Sequence, residues 1–523
     1  MSAAAIDPKS LPVPRVTVNP WLIAIVVALA SFMEVLDTTI ANVALPYMQG
    51  SLSASQDQVN WVLTSYIVAA AIMTAPVGWI ANRFGRKRTF IVCSAGFTIA
   101  SVMCGLAQDI TQMVLFRLLQ GVFGASLVPL SQAVMLDSYA LHERAKAMAI
   151  WGMGVMLGPI MGPSLGAWLT ETYSWHWVFF VNLPFGAVTV LGLMAFMEET
   201  KPNAELTFDW FGFVALAIGI GSLQIALDRG EDQGWLESNE IIIEFIIAGV
   251  GFYYFLAHSL TTQRPFIQFA LFKDRNFVGG CVFMTVMGLV LFSTMALSSP
   301  YLQNVIGYPI ITAGVLLATR GCGTLVAMML VGRLLRFIEA RTLIVVGLSL
   351  TALSLFQMTG WTDHTGVPEI ITVSIMQGFG FGLVFVPLST VAFLTLPGHL
   401  RTDGTSMLTL VRNVASSIGI SIAIAQLTEG TRRSHAILVE HINPFNHALQ
   451  MPNVAGLLNL STDAGRAMAD AMVMMQAQIL AFSHDYQLVM TFILVSIPLA
   501  VMIGSTRTAL RAQSAPAEHA VME

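Results

Sequence analysis

Fourteen stretches of this sequence are apolar over about 20 residues, the length that a helix needs to cross a bilayer. Only 11% of the 523 residues are charged, whereas soluble domains carry about 25%. So few charges cannot cover the surface of a water-soluble chain of this length. We therefore predict an all-α integral membrane protein with fourteen transmembrane helices. The predicted segments are 21–46, 59–82, 88–107, 111–136, 144–169, 176–197, 210–228, 240–258, 276–303, 311–335, 342–361, 367–392, 404–427 and 486–506.

The basic residues are divided unequally between the two sides of the membrane. With the N-terminus inside, 18 of the 25 lysines and arginines fall on cytoplasmic segments, four fall outside and three lie within helices. Cytoplasmic loops carry such an excess, so the tails 1–20 and 507–523 are both predicted to be cytoplasmic. The apolar run after Lys9 and Arg15 has about 26 residues, against about 7–15 in a signal peptide. We expect the first helix to remain as an anchor.

Two pairs of motifs recur eight segments apart in the same orientation. Segment 4 contains QGVFGASLVPLS (120–131) and segment 12 contains QGFGFGLVFVPLS (377–389). The end of segment 2 reads GWIANRFGRKRT (78–89), and the end of segment 10 reads GRLLRFIEART (332–342). Parallel repeats of this kind are typical of transporters that rock about a site at the membrane midplane.

The repeat predicts two six-helix bundles of parallel topology, at 21–198 and 261–506, with two transmembrane helices inserted between them at 199–260. Within the second bundle, residues 429–484 form a long outer connection that could contain short amphipathic helices. Three histidines recur there every six residues, a spacing that does not place them on one helical face, so no metal site is predicted. We expect this connection to be either a docking surface for a partner or a solvated loop.

Ionisable side chains inside a membrane are costly and mark candidate functional sites. Asp37 in segment 1 and Arg117 in segment 4 both lie about 10–14 Å below the outer edge, at 1.5 Å per residue. Equal depth permits an ion pair, and Glu34 shares a helical face with Asp37. We expect these three residues to couple transport to proton movement. The alternatives are a permanent ion pair between segments 1 and 4 and, for Glu34, contact with a cationic substrate or a water-filled cavity.

Segment 5 contains a glycine at every fourth position, with two prolines between them. The spacing places the glycines on one helical face, where another backbone can approach closely. Each proline removes a helix hydrogen bond and favours a kink. We expect a packing seam, a hinge or both. These residues are Gly154, Gly158, Pro159, Gly162, Pro163 and Gly166.

Arg320 and Arg412 lie about 12–14 Å inside segments 10 and 13. Each could contact an anionic substrate or donate hydrogen bonds to the carbonyl groups of a helix. The 29 methionines of the chain would suit an adaptable apolar cavity, although we expect most of them to face lipid or the protein core.

Several short motifs occur in the order found in one transporter family. The loop between segments 2 and 3 matches G-x-L-A-D-R-x-G-R-R/K, with an asparagine in place of the usual aspartate. The residues of this loop motif are Gly78, Asn82, Arg83, Gly85, Arg86 and Arg88. The other motifs are LDTTIANVALP (36–46), Arg117 with Gln120 and Gly121, GVMLGPIMGPSLG (154–166), WHWVFFVNLPFG (175–186), IGSLQIALDRG (220–230) and RRSHAILVEHINPFN (432–446).

With these motifs, the sequence resembles the major facilitator superfamily and, within it, the fourteen-helix drug:proton antiporters of the EmrB-like multidrug efflux group. The resemblance implies a bacterial inner-membrane protein that exports hydrophobic drugs in exchange for protons. It also implies two partners, a periplasmic adaptor protein and, through it, an outer-membrane channel. In this family the loop motif belongs to a cytoplasmic gate, and the segment 5 glycines belong to an antiporter motif.

Other functions are compatible with the same scaffold. One is a dedicated exporter of a single metabolite, siderophore or fatty acid. A transport-dead receptor or scaffold is a remote alternative, because it would have no need of costly buried charges. An intramembrane enzyme is disfavoured, because the sequence has no HExxH or P-loop motif. Without a P-loop we also predict no ATP site and no other cofactor, with the proton gradient as the energy source.

Overall fold

All regular elements of the described chain are helices. Our computed structural model describes residues 20–139, 143–200, 202–262, 265–443, 446, 447, 451, 458 and 460–502. Thirteen helices in these ranges are long and apolar enough to cross a membrane, and two more that meet at a 57° bend make a fourteenth span when taken together. The protein is a multi-pass membrane protein, and the predicted all-α fold class is confirmed.

We number the spans α1 to α14 in chain order. Three of them, α2, α4 and α6, consist of two helices in succession, and α9 ends in a π-helical turn. The bounds are α1 Pro20–Ser51, α2 Gln56–Thr74 with Val77–Phe84, α3 Arg86–Gly105, α4 Ile110–Gly124 with Leu127–Ser138, α5 Arg144–Thr172, α6 Trp177–Phe180 with Asn182–Phe196, α7 Trp210–Gln233, α8 Asn239–Thr261, α9 Arg275–Pro300 with Tyr301–Val305, α10 Ile310–Leu334, α11 Ala340–Met358, α12 Val367–Val391, α13 Arg401–Val439 and α14 Asp463–Ser496.

Local sequence explains several helix boundaries. Ser55 and Gln58 form a capping box at the start of α2, in which the Ser55 hydroxyl accepts from the Gln58 amide and the Gln58 side chain accepts from the Ser55 amide. Pro76 lies at the 57° bend of α2, where its ring removes one backbone donor. Asp274 begins α9 by accepting a hydrogen bond from the Asn276 amide at 2.8 Å.

The region predicted as an outer connection, 429–484, differs from the structure. α13 continues as one helix to Val439, and α14 begins at Asp463. The helix that contains the predicted segment 14 therefore begins about six turns before residue 486. Hydropathy does not reveal these extensions, because they carry many polar side chains although they are helical.

The extensions of α13 and α14 pack against each other. Gly430 on α13 lies beside Ala481 on α14, and His435 Nε2 is 2.9 Å from Asp470 Oδ1. The 39 residues of α13 rise about 58 Å, against about 30 Å for the hydrocarbon core of a bilayer. We call these two extensions, residues 429–439 of α13 and 463–484 of α14, the helical hairpin. Their side of the molecule is the hairpin end. The opposite side, which we call the basic end, contains the loop motif and the start of α13.

The contacts between helices of the first six spans recur among the last six spans, with each helix number increased by eight. α1 packs on α5, α2 on α4, and α3 on both α4 and α6; likewise α9 packs on α13, α10 on α12, and α11 on both α12 and α14. The sequence repeat is therefore also a repeat of helix packing.

The repeated QG motif has the same packing role in both halves. A Cβ atom on Gly121 of α4 would lie 2.5 Å from the carbonyl oxygen of Tyr66 on α2. A Cβ atom on Gly378 of α12 would collide with the carbonyl oxygen of Arg320 on α10. Glycine is required at each position because the neighbouring backbone occupies the space that a side chain would need.

α7 and α8 stand outside this repeat. α7 packs against α2 of the first half and α13 of the second, while α8 packs mainly on α7. Gln224 of α7 donates a hydrogen bond to Ser417 of α13 at 2.7 Å, and Ser421 donates to the carbonyl oxygen of Leu227 at 2.7 Å. The inserted helix α7 is therefore tied to both halves of the molecule.

The glycine face of α5 packs directly on α1. A Cβ atom on Gly158 would lie 2.8 Å from the backbone nitrogen of Leu36, and one on Gly166 would lie 2.9 Å from Ile40 Cγ1. Thr39 also donates to the carbonyl oxygen of Gly158 at 3.2 Å. The structure thus shows a packing seam, and α5 remains one helix through both of its internal prolines. The hinge stays a prediction.

Replacement of Gly158 by alanine should destabilise the protein, because the new methyl group meets backbone atoms of α1 that cannot rotate away. We expect a cost of about 1–3 kcal/mol, seen as a lower thermal unfolding midpoint in detergent. Gly249→Ala is the matched control, because no atom lies within 4 Å of its added Cβ on α8. Equal unfolding midpoints for the two variants would contradict the close packing of α5 on α1.

Candidate functional site

Asp37 lies in the middle of α1 and is fully buried. Its Oδ2 accepts a hydrogen bond at 2.6 Å from Nη1 of Arg117, which is fully buried as well. Its Oδ1 accepts from Gln120 Nε2 at 2.9 Å and from Asn182 Nδ2 at 2.7 Å. One carboxylate thereby joins α1, α4 and α6 through three donors, and the predicted proximity of Asp37 and Arg117 is a direct ion pair.

The guanidinium group of Arg117 is held on several sides. Nε donates to the carbonyl oxygen of Val62 at 3.0 Å, and Nη1 also reaches Gln120 Oε1 at 2.9 Å. The Cζ atom lies 4.6 Å from the ring centroid of Tyr66 and 5.5 Å from that of Phe179, distances that allow cation–π attraction. Nη2 has no hydrogen-bond partner among the described residues.

Asn182 connects the ion pair to α3, and sequence reasoning did not single it out. Its Nδ2 also contacts Ser101 Oγ at 3.0 Å, and Ser101 donates to the carbonyl oxygen of Phe179 at 2.9 Å. The available signal was Asn182 itself, a polar residue inside the predicted sixth apolar segment. Ser101 carried no such signal, because isolated serines are common in membrane helices.

Glu34 lies one turn before Asp37 on α1 and is half-buried. It accepts a hydrogen bond from the hydroxyl of Tyr66 at 3.4 Å, and it interacts electrostatically with Arg412 on α13. Tyr66 therefore lies between the two carboxylates, with its ring over Arg117 and its hydroxyl at Glu34. The structure brings the three predicted coupling residues together and adds Tyr66 and Arg412 to them.

A cavity lies beside this cluster, between the two halves of the molecule. Its wall comes from α5, α9, α10, α12 and α13, with Val35 contributed by α1. Most of the side chains that line it are apolar, and several are methionines, which adapt to ligands of different shape. Pro159 and Pro163 of α5 face it, as do both arginines predicted as substrate contacts, Arg320 and Arg412.

At the basic end, the two halves are joined by charged residues. Arg86 of the loop motif pairs with Asp137 at the end of α4, and Asp137 also pairs with Arg401 at the start of α13. Gly78 packs against Asp403 of α13, where a larger side chain would collide with the carboxylate. These ion pairs link the loop motif and α4 of the first half to α13 of the second half.

Asn82 contacts the linker between α6 and α7 through its backbone. Its carbonyl oxygen accepts from the Asn203 amide at 2.9 Å, and Arg83 Nη1 donates to the Asn203 carbonyl oxygen at 3.3 Å. Arg88 lies 3.7 Å from a carboxylate oxygen of Glu199, and Gly85 turns the chain at φ +95°. The loop motif therefore holds the linker between α6 and α7, while Asp137 supplies the negative charge between the halves.

Comparison with known proteins decides the family. The Major Facilitator Superfamily model matches residues 27–420. The chain belongs to the Major Facilitator Superfamily. Within the superfamily it is 35% identical to the multidrug export protein EmrB of Escherichia coli K12, over 81% of this chain and 83% of that protein. It is 34% identical to the fatty acid resistance protein FarB of Neisseria gonorrhoeae, over 80% of this chain and 83% of that protein.

Two solved superfamily structures have the same fold. The human organic anion transporter MFSD10 superposes with a TM-score of 0.55 at 14% identity, over 91% of this chain and 99% of that one. A bacterial homologue of the lysosomal transporter Spinster superposes with a TM-score of 0.53 at 18% identity, over 95% and 99%. The similarity extends over nearly the whole superfamily fold and concerns the fold alone.

Replacement of Asp137 by asparagine should open the basic end, because Arg86 and Arg401 would lose their shared carboxylate. Phe84 and His399 are exposed on the two halves. Spin labels at these positions would report the distance between the halves by double electron–electron resonance. We expect the population of longer distances to rise about tenfold, which corresponds to about 1.4 kcal/mol.

The matched control is Glu199→Gln, which removes a carboxylate from the same end. Glu199 pairs with Arg88, and neither residue contacts the second half through this pair. Its distance distribution should match that of the parent protein. If Asp137→Asn also leaves the distribution unchanged, the Asp137 ion pairs do not close the basic end.

Proposed function

We propose that this protein is a proton-driven antiporter that exports hydrophobic drugs and other toxic compounds across a bacterial inner membrane. One observation carries the proposal: α1 holds a fully buried carboxylate–arginine pair at Asp37 and, two residues earlier, lines an apolar cavity between the two halves with Val35. The relatives named multidrug export proteins support the substrate class. In this proposal the basic end and both termini face the cytoplasm, as the positive-inside rule favours.

Asp37 is the proposed proton acceptor. A proton on Oδ2 would remove the negative charge that holds Arg117 Nη1 at 2.6 Å, and would leave a buried guanidinium group with no carboxylate partner. The hydrogen bonds that Gln120 and Asn182 donate to Oδ1 would weaken at the same time, because a neutral acid is a poorer acceptor. Protonation would therefore loosen the contact of α1 with α4 and α6 in one step.

The energy involved is large enough to switch a conformation. Loss of one partner of a buried ion pair costs about 3–5 kcal/mol. A shift of a two-state equilibrium from 1:99 to 99:1 requires about 5.5 kcal/mol. A single proton at Asp37 would supply most of that difference, and the adjacent Glu34, which interacts electrostatically with Arg412 of the second half, would supply a second charge-dependent interaction.

α5 would carry the change from the ion pair to the cavity. Its glycine face packs on α1 next to Asp37, while Pro159 and Pro163 line the cavity. The two prolines leave backbone carbonyl groups without helical donors, which makes bending at this point cheaper than elsewhere in the helix. We propose α5 as the hinge and the Asp137 ion pairs as the cytoplasmic gate, with no nucleotide required.

The helical hairpin is the proposed contact for a periplasmic adaptor protein, which would link the pump to an outer-membrane channel. The hairpin is longer than membrane crossing requires. It exposes Ile437 and Met468 to 53% and 44%, together with charged groups such as Arg432 and Arg466. Protein interfaces combine a more apolar centre with a polar rim, and the proposal assigns the exposed apolar side chains to the centre and the charged groups to the rim.

A dedicated exporter of one metabolite, siderophore or fatty acid is the second candidate function. It uses the same scaffold and the same coupling residues. The relative named for fatty acid resistance is the observation that favours it. A broad substrate range in the transport assay below would exclude it.

Asp37→Asn should abolish proton-coupled transport, because an amide of the same size cannot take up the proton. In proteoliposomes with an imposed pH gradient, we expect accumulation of a panel of hydrophobic dyes to fall about 10- to 100-fold. Dye binding without a gradient should remain, which shows that the variant is folded. Asp109→Asn, on an exposed helix cap where asparagine also serves, is the control. Wild-type accumulation by Asp37→Asn would refute the coupling role.

Shortening of the helical hairpin should leave transport across the inner membrane intact but abolish export out of the cell envelope. Because His435 and Asp470 are in contact, a short glycine–serine linker can replace residues 436–469. We expect unchanged dye transport in proteoliposomes but loss of drug resistance in cells with an intact envelope. If the shortened protein confers full resistance, the hairpin does not dock an adaptor.

A further inference from the structure

A second cavity lies at the hairpin end, between the early part of α2 and the end of α7. Its volume is about 210 Å³, which is enough for several water molecules. Polar side chains such as Asn60 and Thr64 of α2 and Asp228 and Asp232 of α7 line it. None of its lining residues belongs to the cavity between the two halves, so it needs an explanation of its own.

A hydrogen bond joins α2 to α7 across this second cavity. The hydroxyl of Thr64, a residue that is 3% exposed, donates to Oδ2 of Asp228. The charged groups that act on Asp228 are Arg229 and Asp232 of its own helix, and the residues of α2 on the cavity wall carry no charge. Arg229 is paired in turn with Glu240 of α8. Both inserted helices are therefore connected to this part of α2.

The opposite face of α2 holds the arginine of the buried ion pair. Val62 and Tyr66 are each two residues from Thr64, about 200° around the helix. The carbonyl oxygen of Val62 accepts from Nε of Arg117 at 3.0 Å, and the Tyr66 ring lies 4.6 Å from Cζ of the same arginine. Arg117 in turn donates to Asp37. One turn of α2 thus contacts α7 on one side and positions Arg117 on the other.

α7 is also bound to the second half at the same level. Gln224 donates to Ser417 of α13 at 2.7 Å, and Ser421 of α13 donates to the carbonyl oxygen of Leu227 at 2.7 Å. Leu227 directly precedes Asp228 in the chain. A movement of α13 against the first half must therefore displace α7 or break these hydrogen bonds, and a displaced α7 pulls on α2.

We propose that α7 transmits the position of the second half to the proton site, with Asp228 as the positioning residue. Asp228 acts through Thr64 on α2, and α2 acts through Val62 and Tyr66 on Arg117. This inference gives the inserted helices a role that neither six-helix half contains. It rests on the proposed function of Asp37 as the proton acceptor.

The proton affinity of Asp37 can be measured by infrared titration of the full chain in dodecyl maltoside. A carboxylic acid and a carboxylate absorb at different frequencies, and the signal of Asp37 is the part of the spectrum that Asp37→Asn removes. Thr64→Val removes the donor, and Asp228→Ala removes the acceptor. In each variant we expect the half-protonation pH of Asp37 to rise by about one unit, a tenfold tighter binding of the proton, because a less firmly held Arg117 stabilises the carboxylate less.

The double variant shows whether the two side chains act together. Thr64→Val combined with Asp228→Ala should shift the half-protonation pH no further than either single change, because both remove the same hydrogen bond. Shifts that add up would mean that the two residues act independently, and would overturn the proposal.

Asp228→Asn separates positioning from charge. The amide oxygen can still accept from Thr64, so this variant should keep the parent half-protonation pH. Asp232→Ala, one turn further along the wall of the same cavity, is the control and should keep it as well. If Asp228→Asn shifts the value as much as Asp228→Ala, the charge matters and the positioning role is overturned. A lower thermal unfolding midpoint in Asp228→Ala without a shift at Asp37 would mean a merely structural role and would also overturn it.

Failure of this inference is distinct from failure of the proposed function. If the spectra of the parent and Asp37→Asn titrate identically, Asp37 does not take up a proton, and both proposals fall. If Asp37 titrates but Thr64→Val and Asp228→Ala leave its half-protonation pH unchanged, only the role of α7 is overturned.

Discussion

The buried ion pair of Asp37 and Arg117 is the interaction on which the rest of this structure depends. Membrane helices gain little from hydrophobic association with one another, so close packing and polar contacts hold them together. Here one carboxylate accepts from α4 and α6 at once, and the glycine face of α5 covers its helix from another side. A change of charge at Asp37 would therefore alter the contacts among four helices of the first half.

Charge is also what distinguishes the two halves, although their packing repeats. The first half has Gln120 bound to Asp37 and Arg117, whereas the corresponding Gln377 of the second half is buried without a hydrogen-bond partner among the described residues. The second half instead places Arg320 and Arg412 on the cavity wall. In our account the first half handles the proton and the second half handles the substrate, and Glu34 with Arg412 connects them.

Much of this arrangement follows from the sequence, for identifiable reasons. The long apolar segments predicted the helices, because a helix needs a minimum length to cross a bilayer. The QG repeat predicted the two halves, and glycine recurs in it because a neighbouring backbone leaves no room for a side chain, as at Gly121. Estimated depth placed Asp37 beside Arg117. The continuity of the helical hairpin with α13 and α14 was not predicted, because its residues are largely polar. The roles of Asn182, Tyr66 and Asp137 were missed because partner choice depends on how helices rotate and cross. No hydropathy pattern contains that information.

The most direct test of the account is proton release on substrate binding. In lightly buffered detergent solution, a pH-sensitive dye would report protons that leave the protein when a transported compound is added. If Asp37 exchanges its proton for substrate, release is seen with the parent protein and is absent with Asp37→Asn, while Asp109→Asn behaves like the parent. Undiminished release from Asp37→Asn would contradict the account, since the proton would then be carried elsewhere.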